Sequence, residues 1–407
     1  MCDDFVNGNF DVIVIGSGPA GSTCARYLAK DGFVVALVDR ERFPRDKPCG
    51  GAFSYGLLDT FPYLRKREPE IIKSVSREGT IYSPNRRVAL TGKVELAMTM
   101  RSDFDKVLHE DAVDQGAVPL TGRRVKSCQV SSDGVSAVVS DGLIIRGRVL
   151  VGADGVSSVV ARTLGFRKAW PKRSITACRV AEVPVKESLI SDMYGSRRTY
   201  RFYANLNNEP GYGWVFPKRD TVNVGLGIVG AESKGLPGKF SDFLHMLLKE
   251  GLLPANPDLS GLRGALVPTG GPSQRSYGER CILVGDACGM VNPLTGGGIA
   301  YSMRAARYAA KTLEGCLESD RFGSTVLMTY QNLWRSDFGN GIRNLLAAQR
   351  IFTSPLTNLL FEIGSRDTML QSLVADAMAE SNEHSISVSR LGSRLLHVLF
   401  REAFHLG

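Results

Sequence analysis

Three groups of residues in this 407-residue chain have the types and spacing to do chemistry. The first is glycine. Gly16, Gly18 and Gly21 stand in Gly16-Ser17-Gly18-Pro19-Ala20-Gly21, the spacing of a turn that lets the backbone approach a pyrophosphate. Gly296, Gly297 and Gly298 form a triplet suited, at a helix start, to an anion or an electron-rich carbonyl. The second group is acidic. Asp39, Asp154 and Asp286 each follow an apolar run, where a carboxylate can hold sugar hydroxyls. The third joins a thiol to aromatic rings. Cys49 lies between Pro48 and the pair Gly50-Gly51. A thiol in such a loop is either a functional group or a small residue in a tight turn, and the first is preferred. Tyr212, Trp214 and Phe216 alternate along a stretch that continues through Pro217 to Gly225 and Gly227.

These groups need elements to hold them. Val12-Ile13-Val14-Ile15 is a continuous apolar run, as in a buried parallel strand. A helix pattern runs from about Pro19 to Lys30 and is closed by Gly32. A second apolar strand, Phe33 to Val38, ends at Asp39. This strand–turn–helix–strand unit gives the glycine spacing its specificity. Gly16 permits the turn, Gly18 the approach of a pyrophosphate, and Gly21 the close packing of helix on sheet. Residues 225–230 repeat the Gly-x-Gly-x-x-Gly spelling but lack that unit. Val222-Asn223-Val224 alternates, and AESKGLPGKF puts Gly and Pro where a helix should start. Gly225 and Gly227 are therefore read as strand residues beside a ligand or another backbone. On a strand, Tyr212, Trp214 and Phe216 share one face, which with Gly225 and Gly227 makes a smooth apolar slot. Two further apolar strands lead into Asp154-Gly155 and Gly285-Asp286, and Arg101 stands just before a helix.

These motifs resemble the flavoprotein monooxygenase-like superfamily, the hydroxybenzoate hydroxylase fold, over most of the chain. The resemblance implies FAD, with its pyrophosphate on the N-terminal glycine motif and Arg101 by the nucleotide part. It places Gly285 and Asp286 on the ribityl chain and the following loop beside the flavin ring. The cofactor set it implies is Gly16, Gly18, Pro19, Ala20, Gly21, Asp39, Arg40, Cys49, Gly50, Gly51, Arg101, Val125, Asp154, Gly155, Gly285, Asp286, Pro293, Gly296, Gly297 and Gly298. Within the superfamily, FPRDKPCGGAFSYGLL and YGWVFPKRDTVNVGLG are similar to the geranylgeranyl reductase family. The second stretch reads Tyr-x-Trp-x-Phe-Pro, seven residues, then Gly-x-Gly. Members of that family saturate isoprenoid double bonds on membrane lipids, chlorophyll precursors or menaquinone side chains. The resemblance implies an isoprenoid pocket lined by Tyr212, Trp214, Phe216, Pro217, Gly225 and Gly227. It implies a hydride from reduced FAD, with NADPH, NADH or ferredoxin as electron source. Cys49, Tyr212 and the flavin itself are the candidate proton donors.

The expected architecture is α/β, α+β overall. A Rossmann-like FAD domain takes 1–65, 100–165 and 265–335. An interleaved antiparallel β-sheet substrate domain takes 66–99 and 166–264, and 336–407 is mostly helical. Rival readings are an aromatic hydroxylase or halogenase of the same fold and a non-catalytic prenyl-lipid carrier. The halogenase run Trp-x-Trp-x-Ile-Pro is missing, and the intact glycines argue for a kept flavin.

Composition narrows the partners. The net charge of +9 suits an anionic membrane or a phosphorylated substrate such as an isoprenoid diphosphate. With no nucleic-acid motif and scattered basic residues, nucleic acid is not expected. Eight cysteines without C-x-x-C read as reduced thiols. Five histidines without a ligand pattern predict no metal site. MCDDFVNGNF lacks the pattern of a signal peptide, so a cytoplasmic protein is expected. Near the end, Arg390, Arg394, His397 and Arg401 oppose Leu395, Leu396, Leu399, Phe400 and Phe404 around a helix. That helix is either an ordinary cap or a peripheral membrane contact.

Overall fold

A computed structural model of the chain describes residues 9–367 and Gln371. Helix and strand combine in two large sheets, so the α/β, α+β expectation holds. The basic amphipathic stretch at 390–404 lies outside the described residues. Among those described, no helix is long and apolar enough to cross a membrane.

The eight-stranded sheet carries the glycine turn. Its path runs Tyr277–Gly278, Cys281–Leu283, Ile144–Gly152, Asn9–Ile15, Val35–Val38 and Val118–Leu120. Asn9–Ile15 lies parallel to both Ile144–Gly152 and Val35–Val38. Such a strand is covered on both faces, which is why Val12 to Ile15 are all apolar and buried. The helix Pro19–Lys30 has the expected bounds and buries Ala20, Cys24, Ala25, Leu28 and Ala29. These small residues share a core with Ala305, Ala306, Ala309 and Ala310 of the helix Ile299–Ser319. The second strand starts at Val35 rather than Phe33. Phe33 N instead donates to Leu28 O and Val34 O accepts from Asp11 N, closing the loop.

The seven-stranded sheet forms the other half. Its order is Arg263–Val267, Thr176–Pro184, Thr221–Val229, Gly211–Pro217, Tyr200–Ala204, Gly79–Tyr82 and Ala89–Gly92. All neighbours are antiparallel except Tyr200–Ala204 with Gly79–Tyr82. One face packs Val215, Val224 and Tyr203 against Phe240, Phe243 and Leu247 of the helix Leu236–Lys249. The other carries Tyr200, Phe202, Trp214 and Phe216. Of the 66–99 segment assigned to this half, only Gly79–Tyr82 and Ala89–Gly92 join the sheet. Leu96–Met98 is instead the middle strand of a three-stranded sheet, with Ala52–Ser54 on one side and Ser74–Ser76 on the other. Thr99 N then donates to Gly51 O at 2.7 Å, tying that small sheet to the thiol loop.

Candidate functional site

A cavity of about 430 Å³ lies between the two large sheets and is lined from both. Its polar side begins at the glycine turn. Gly16 has φ +99, and a Cβ there would meet the Ala153 carbonyl oxygen at 2.3 Å. A Cβ at Gly21 would meet Gly16 O at 1.7 Å, so helix and turn touch. Gly18 is different. Its nearest obstacle is Arg45 Nη2 at 3.5 Å, and it borders the cavity with Pro19 and Ala20. No side chain caps this helix at Gly18. No side chain caps the helix Ile299–Ser319 at Gly298 either. Two helix N-termini thus open on one cavity with free N–H groups and positive dipole ends.

Charged groups stand between them. Asp39 is buried below the turn. Its Oδ2 accepts from Ser17 N at 2.7 Å and its Oδ1 from Glu41 N at 2.9 Å. Arg40 borders the cavity with its side chain largely in solvent beside Glu41. Arg101 opens the helix Arg101–Asp114 and grips Asp105 at 2.8 and 2.7 Å, and Arg45 reaches the same carboxylate at 2.8 Å. Burial works against the Arg101 charge, yet the adjacent Asp105 and Cys49 more than offset it and hold the guanidinium above its ordinary range. Lys47 also borders the cavity. Burial pulls its ammonium below the usual lysine range, Arg101 adds to this, and Asp286 and Asp105 oppose it. Asp286 faces the glycine triplet, where a Cβ at Gly298 would come within 3.1 Å of its Oδ1. Gly285, at φ +64, sits behind it against Ser302. Gly155, Pro293, Gly296 and Gly297 complete this side.

The apolar side is the face of Gly211–Pro217. Tyr212, Trp214 and Phe216 all project into the cavity, joined by Phe202 and Cys178 from neighbouring strands. Trp214 stands opposite Gly225, and Tyr212 opposite Gly227. The Tyr212 hydroxyl donates to the Thr295 carbonyl beside the glycine triplet. The thiol loop closes one end: Cys49, Gly50 and Gly51 border the cavity, and the Cys49 Sγ accepts from Gly51 N at 3.3 Å.

Eight expected site residues do not border the cavity: Gly16, Gly21, Asp39 and Gly285 lie behind its polar side, and Val125, Asp154, Gly225 and Pro217 have other surroundings. Val125 begins the strand Val125–Val130 and is buried in the core of the first sheet. Asp154 turns its Oδ2 to Val159 N at 2.6 Å, capping the helix Val159–Thr163, while its Oδ1 is buried without a partner. Burial raises the pKa of this carboxyl. Gly225 does not border the cavity. Its missing side chain makes room for the indole, since a Cβ there would lie 1.9 Å from Trp214 Cζ2. Pro217 ends the strand, and its carbonyl accepts from Ser74 Oγ. Sequence reasoning missed Lys47, although it adjoins Pro48-Cys49, and Phe202, which only the sheet brings to the site.

An elongated dianionic dinucleotide fits this cradle: two uncapped helix starts, a glycine without side chain at the first, and two cationic residues between them. The fold and this polar side define a flavoprotein, and residues 9–338 match the FAD binding domain family. The chain is 32% identical to digeranylgeranylglycerophospholipid reductase 2 of Methanopyrus kandleri, over 93% of this chain and 96% of that one. It is 33% identical to digeranylgeranylglycerophospholipid reductase 1 of the same organism, over 81% and 87%. A geranylgeranyl bacteriochlorophyll reductase-like protein from Thermoplasma acidophilum shares the fold with a TM-score of 0.77 and 23% identity, covering 96% of each chain. A flavin-dependent brominase shares it with a TM-score of 0.74 and 17% identity, covering 97% of this chain and 100% of that one. The chain belongs to the geranylgeranyl reductase family of FAD-binding proteins.

Proposed function

We propose that this protein is an FAD-dependent reductase that saturates carbon–carbon double bonds of a geranylgeranyl-type chain on a membrane lipid. The observation that carries this reading is the wall of Tyr212, Trp214 and Phe216, which faces the same cavity as the two uncapped helix N-termini. An isoprenoid chain offers only apolar surface, and a ring-lined slot can hold it without a polar anchor. The name borne by the Methanopyrus kandleri relatives, a reductase of digeranylgeranylglycerophospholipid, supports the same substrate class.

Bound FAD, once reduced, supplies a hydride and is oxidised in the exchange. The alkene gains that hydride on one carbon and a proton on the other, so two C–H bonds replace the π bond. Positive charge develops on the more substituted carbon, and the rings of Trp214 and Phe216, which line the cavity, stabilise it. Cys49 is the proton donor we assign. Its thiol borders the cavity, and the neighbouring Arg101 compensates the thiolate left behind. Tyr212 has the weaker claim, because its hydroxyl proton is engaged by the Thr295 carbonyl. NADPH, NADH or ferredoxin is the electron source. Lipid enters at the open rim: Leu266 borders the cavity and is 49% exposed, and Leu356 and Leu359, 61% and 47% exposed, follow Phe352 and Thr353, which also line it. Peripheral contact with a membrane surface is part of this proposal, and these exposed leucines support it.

The test is anaerobic. Chemically reduced protein is mixed with digeranylgeranylglycerophospholipid, and the lipid is analysed by mass spectrometry while flavin absorbance is followed. Gain of hydrogen pairs with return of the oxidised absorbance is the expected result. An unchanged lipid, together with oxygen insertion into an aromatic substrate in air, overturns the reading.

A further inference from the structure

Behind the aromatic wall lies a buried polar cluster that the hydride and proton steps leave unused. Asn223 is on the cavity face of Thr221–Val229, opposite Phe216 and two residues before Gly225. It is fully buried. Its Nδ2 donates to the Cys49 carbonyl at 3.0 Å and to Glu182 Oε1 at 2.7 Å. Its Oδ1 accepts from Trp214 Nε1 at 2.7 Å. Both N–H groups and the oxygen of one amide are therefore engaged.

The amide is held from behind. Glu182 stands opposite Asn223 on the next strand, pairs with Lys218 and accepts from Thr221 Oγ1 at 3.0 Å. Lys218 is 1% exposed and lies under the thiol loop, where a Cβ at Gly51 would come within 3.1 Å of its Nζ. Gly50 closes on the same place, for a Cβ there would meet Phe216 Cε2 at 2.7 Å and Trp214 Nε1 at 3.3 Å. Main chain of the thiol loop, indole of the wall and the Glu182–Lys218 ion pair all meet at one side chain. If the amide goes, the Cys49 carbonyl and the Trp214 indole N–H both lose the partner that links them, so loop and ring are coupled through it.

We propose that Asn223 is a positioning residue that sets the Cys49 loop against the Trp214 ring and so fixes which part of a bound isoprenoid chain meets the thiol. This inference rests on the reductase reading above. Asn223 touches neither chain nor cofactor, and its effect passes through Cys49 and Trp214. Loss of the clasp therefore lowers kcat more than it raises KM, because small misplacements of reacting groups cost about 100-fold while apolar chain binding stays.

The experiment compares wild type with Asn223→Ala and Asn223→Asp. The aspartate keeps the shape and the acceptor for Trp214 but removes both N–H donors. Flavin content is matched, and three quantities are read: kcat and KM for the lipid, the positions of the double bonds saturated, and the rate at which iodoacetamide alkylates Cys49 without lipid. Cys49 is the one described cysteine that is not buried, so its alkylation can be followed by peptide mass. Expected are a fall in kcat of about 30- to 100-fold with KM within about threefold, a changed pattern of saturated positions, and a changed alkylation rate. Unchanged kcat, pattern and alkylation rate overturn the proposal, as does a loss confined to KM. If neither variant folds, Trp214→Phe decides. It keeps a ring and removes the indole donor; a changed alkylation rate supports the clasp and an unchanged one sinks it. A wild-type protein that reduces no isoprenoid would defeat the reductase reading alone, since the alkylation rates still judge Asn223.

Discussion

The wall given by the eight-stranded sheet presents helix N-termini, Asp286, Lys47 and Arg101, whereas the wall given by the seven-stranded sheet presents Tyr212, Trp214, Phe216 and Phe202. Both walls use glycines, for different ends. On the polar wall, Gly16 and Gly21 bring backbone against backbone, and Gly18 leaves backbone N–H groups open to a ligand. On the apolar wall, Gly225 makes room for a side chain of the protein itself. The difference shows two ways to specify a ligand. Anion recognition needs fixed dipoles, so it is written in backbone. A chain of isoprene units offers no polar handle, so recognition is written in ring shape and in the space that glycine leaves. Beside the polar wall, Arg45 and Arg101 share Asp105 before any ligand arrives, because an unpaired buried charge is costly.

The sharpest way to separate the walls is Gly18→Val. Gly18 has φ −83, which any residue adopts, and a new Cβ meets no protein atom closer than Arg45 at 3.5 Å. The fold is expected to survive while flavin affinity falls by about 100-fold or more. Flavin absorbance after gel filtration, beside a circular dichroism melt, checks this; a yellow variant with normal affinity would break the comparison. Cys49→Ala acts at the seam between the walls. Flavin content should hold while kcat falls by about 100-fold, the scale of one lost proton donor. Turnover within a few-fold of wild type removes the thiol from the proton step. Gly225→Ala acts on the apolar wall alone. The added methyl would displace the Trp214 indole into the slot, so kcat/KM for lipid should drop about tenfold or more, with a stability loss of about 1–3 kcal/mol. Equal losses of flavin and lipid turnover would mean that the two walls do not divide the work.

What the sequence made legible was local. The glycine turn, its helix from Pro19 to Lys30 and the alternation of Tyr212, Trp214 and Phe216 rest on residues close together in the chain. What escaped depends on cross-strand register. Gly225 reads as slot lining until it is seen opposite Trp214, and Glu182 meets Asn223 only through the pairing of Thr176–Pro184 with Thr221–Val229. The spacing of Asn223, Gly225 and Gly227, each two apart, was the available signal that all three share a face. Asp154 shows another limit. An acid at a strand end serves a sugar or a helix equally well, and the choice falls to the helix Val159–Thr163 a few residues on. The strands Ser74–Ser76 and Leu96–Met98 are three residues each, too short for alternation to name their partners.

The smallest expected effect probes the support under the polar wall. His109 is 8% exposed, its Nδ1 lies 2.7 Å from Ser17 Oγ, and its ring stacks on Phe43 at 4.4 Å. Burial favours the neutral ring and lowers its pKa; Arg45 pushes the same way, and Asp39 and Glu110 oppose. A histidine with a lowered folded pKa binds its proton more readily in the unfolded chain. The stability it contributes is therefore complete above the unfolded value of about 6.5 and is lost as pH falls through the lower folded value. His109→Gln keeps a polar partner for Ser17 but cannot titrate. Melting curves of flavin-free protein should fall less steeply with acidification below about pH 6.5 in the variant, by about 1–2 °C in Tm. Carboxylates titrating in the same window are common to both proteins, so the difference between the curves isolates the ring. Parallel curves would show that the turn stands on Asp39 and its backbone bonds, with no contribution from the imidazole.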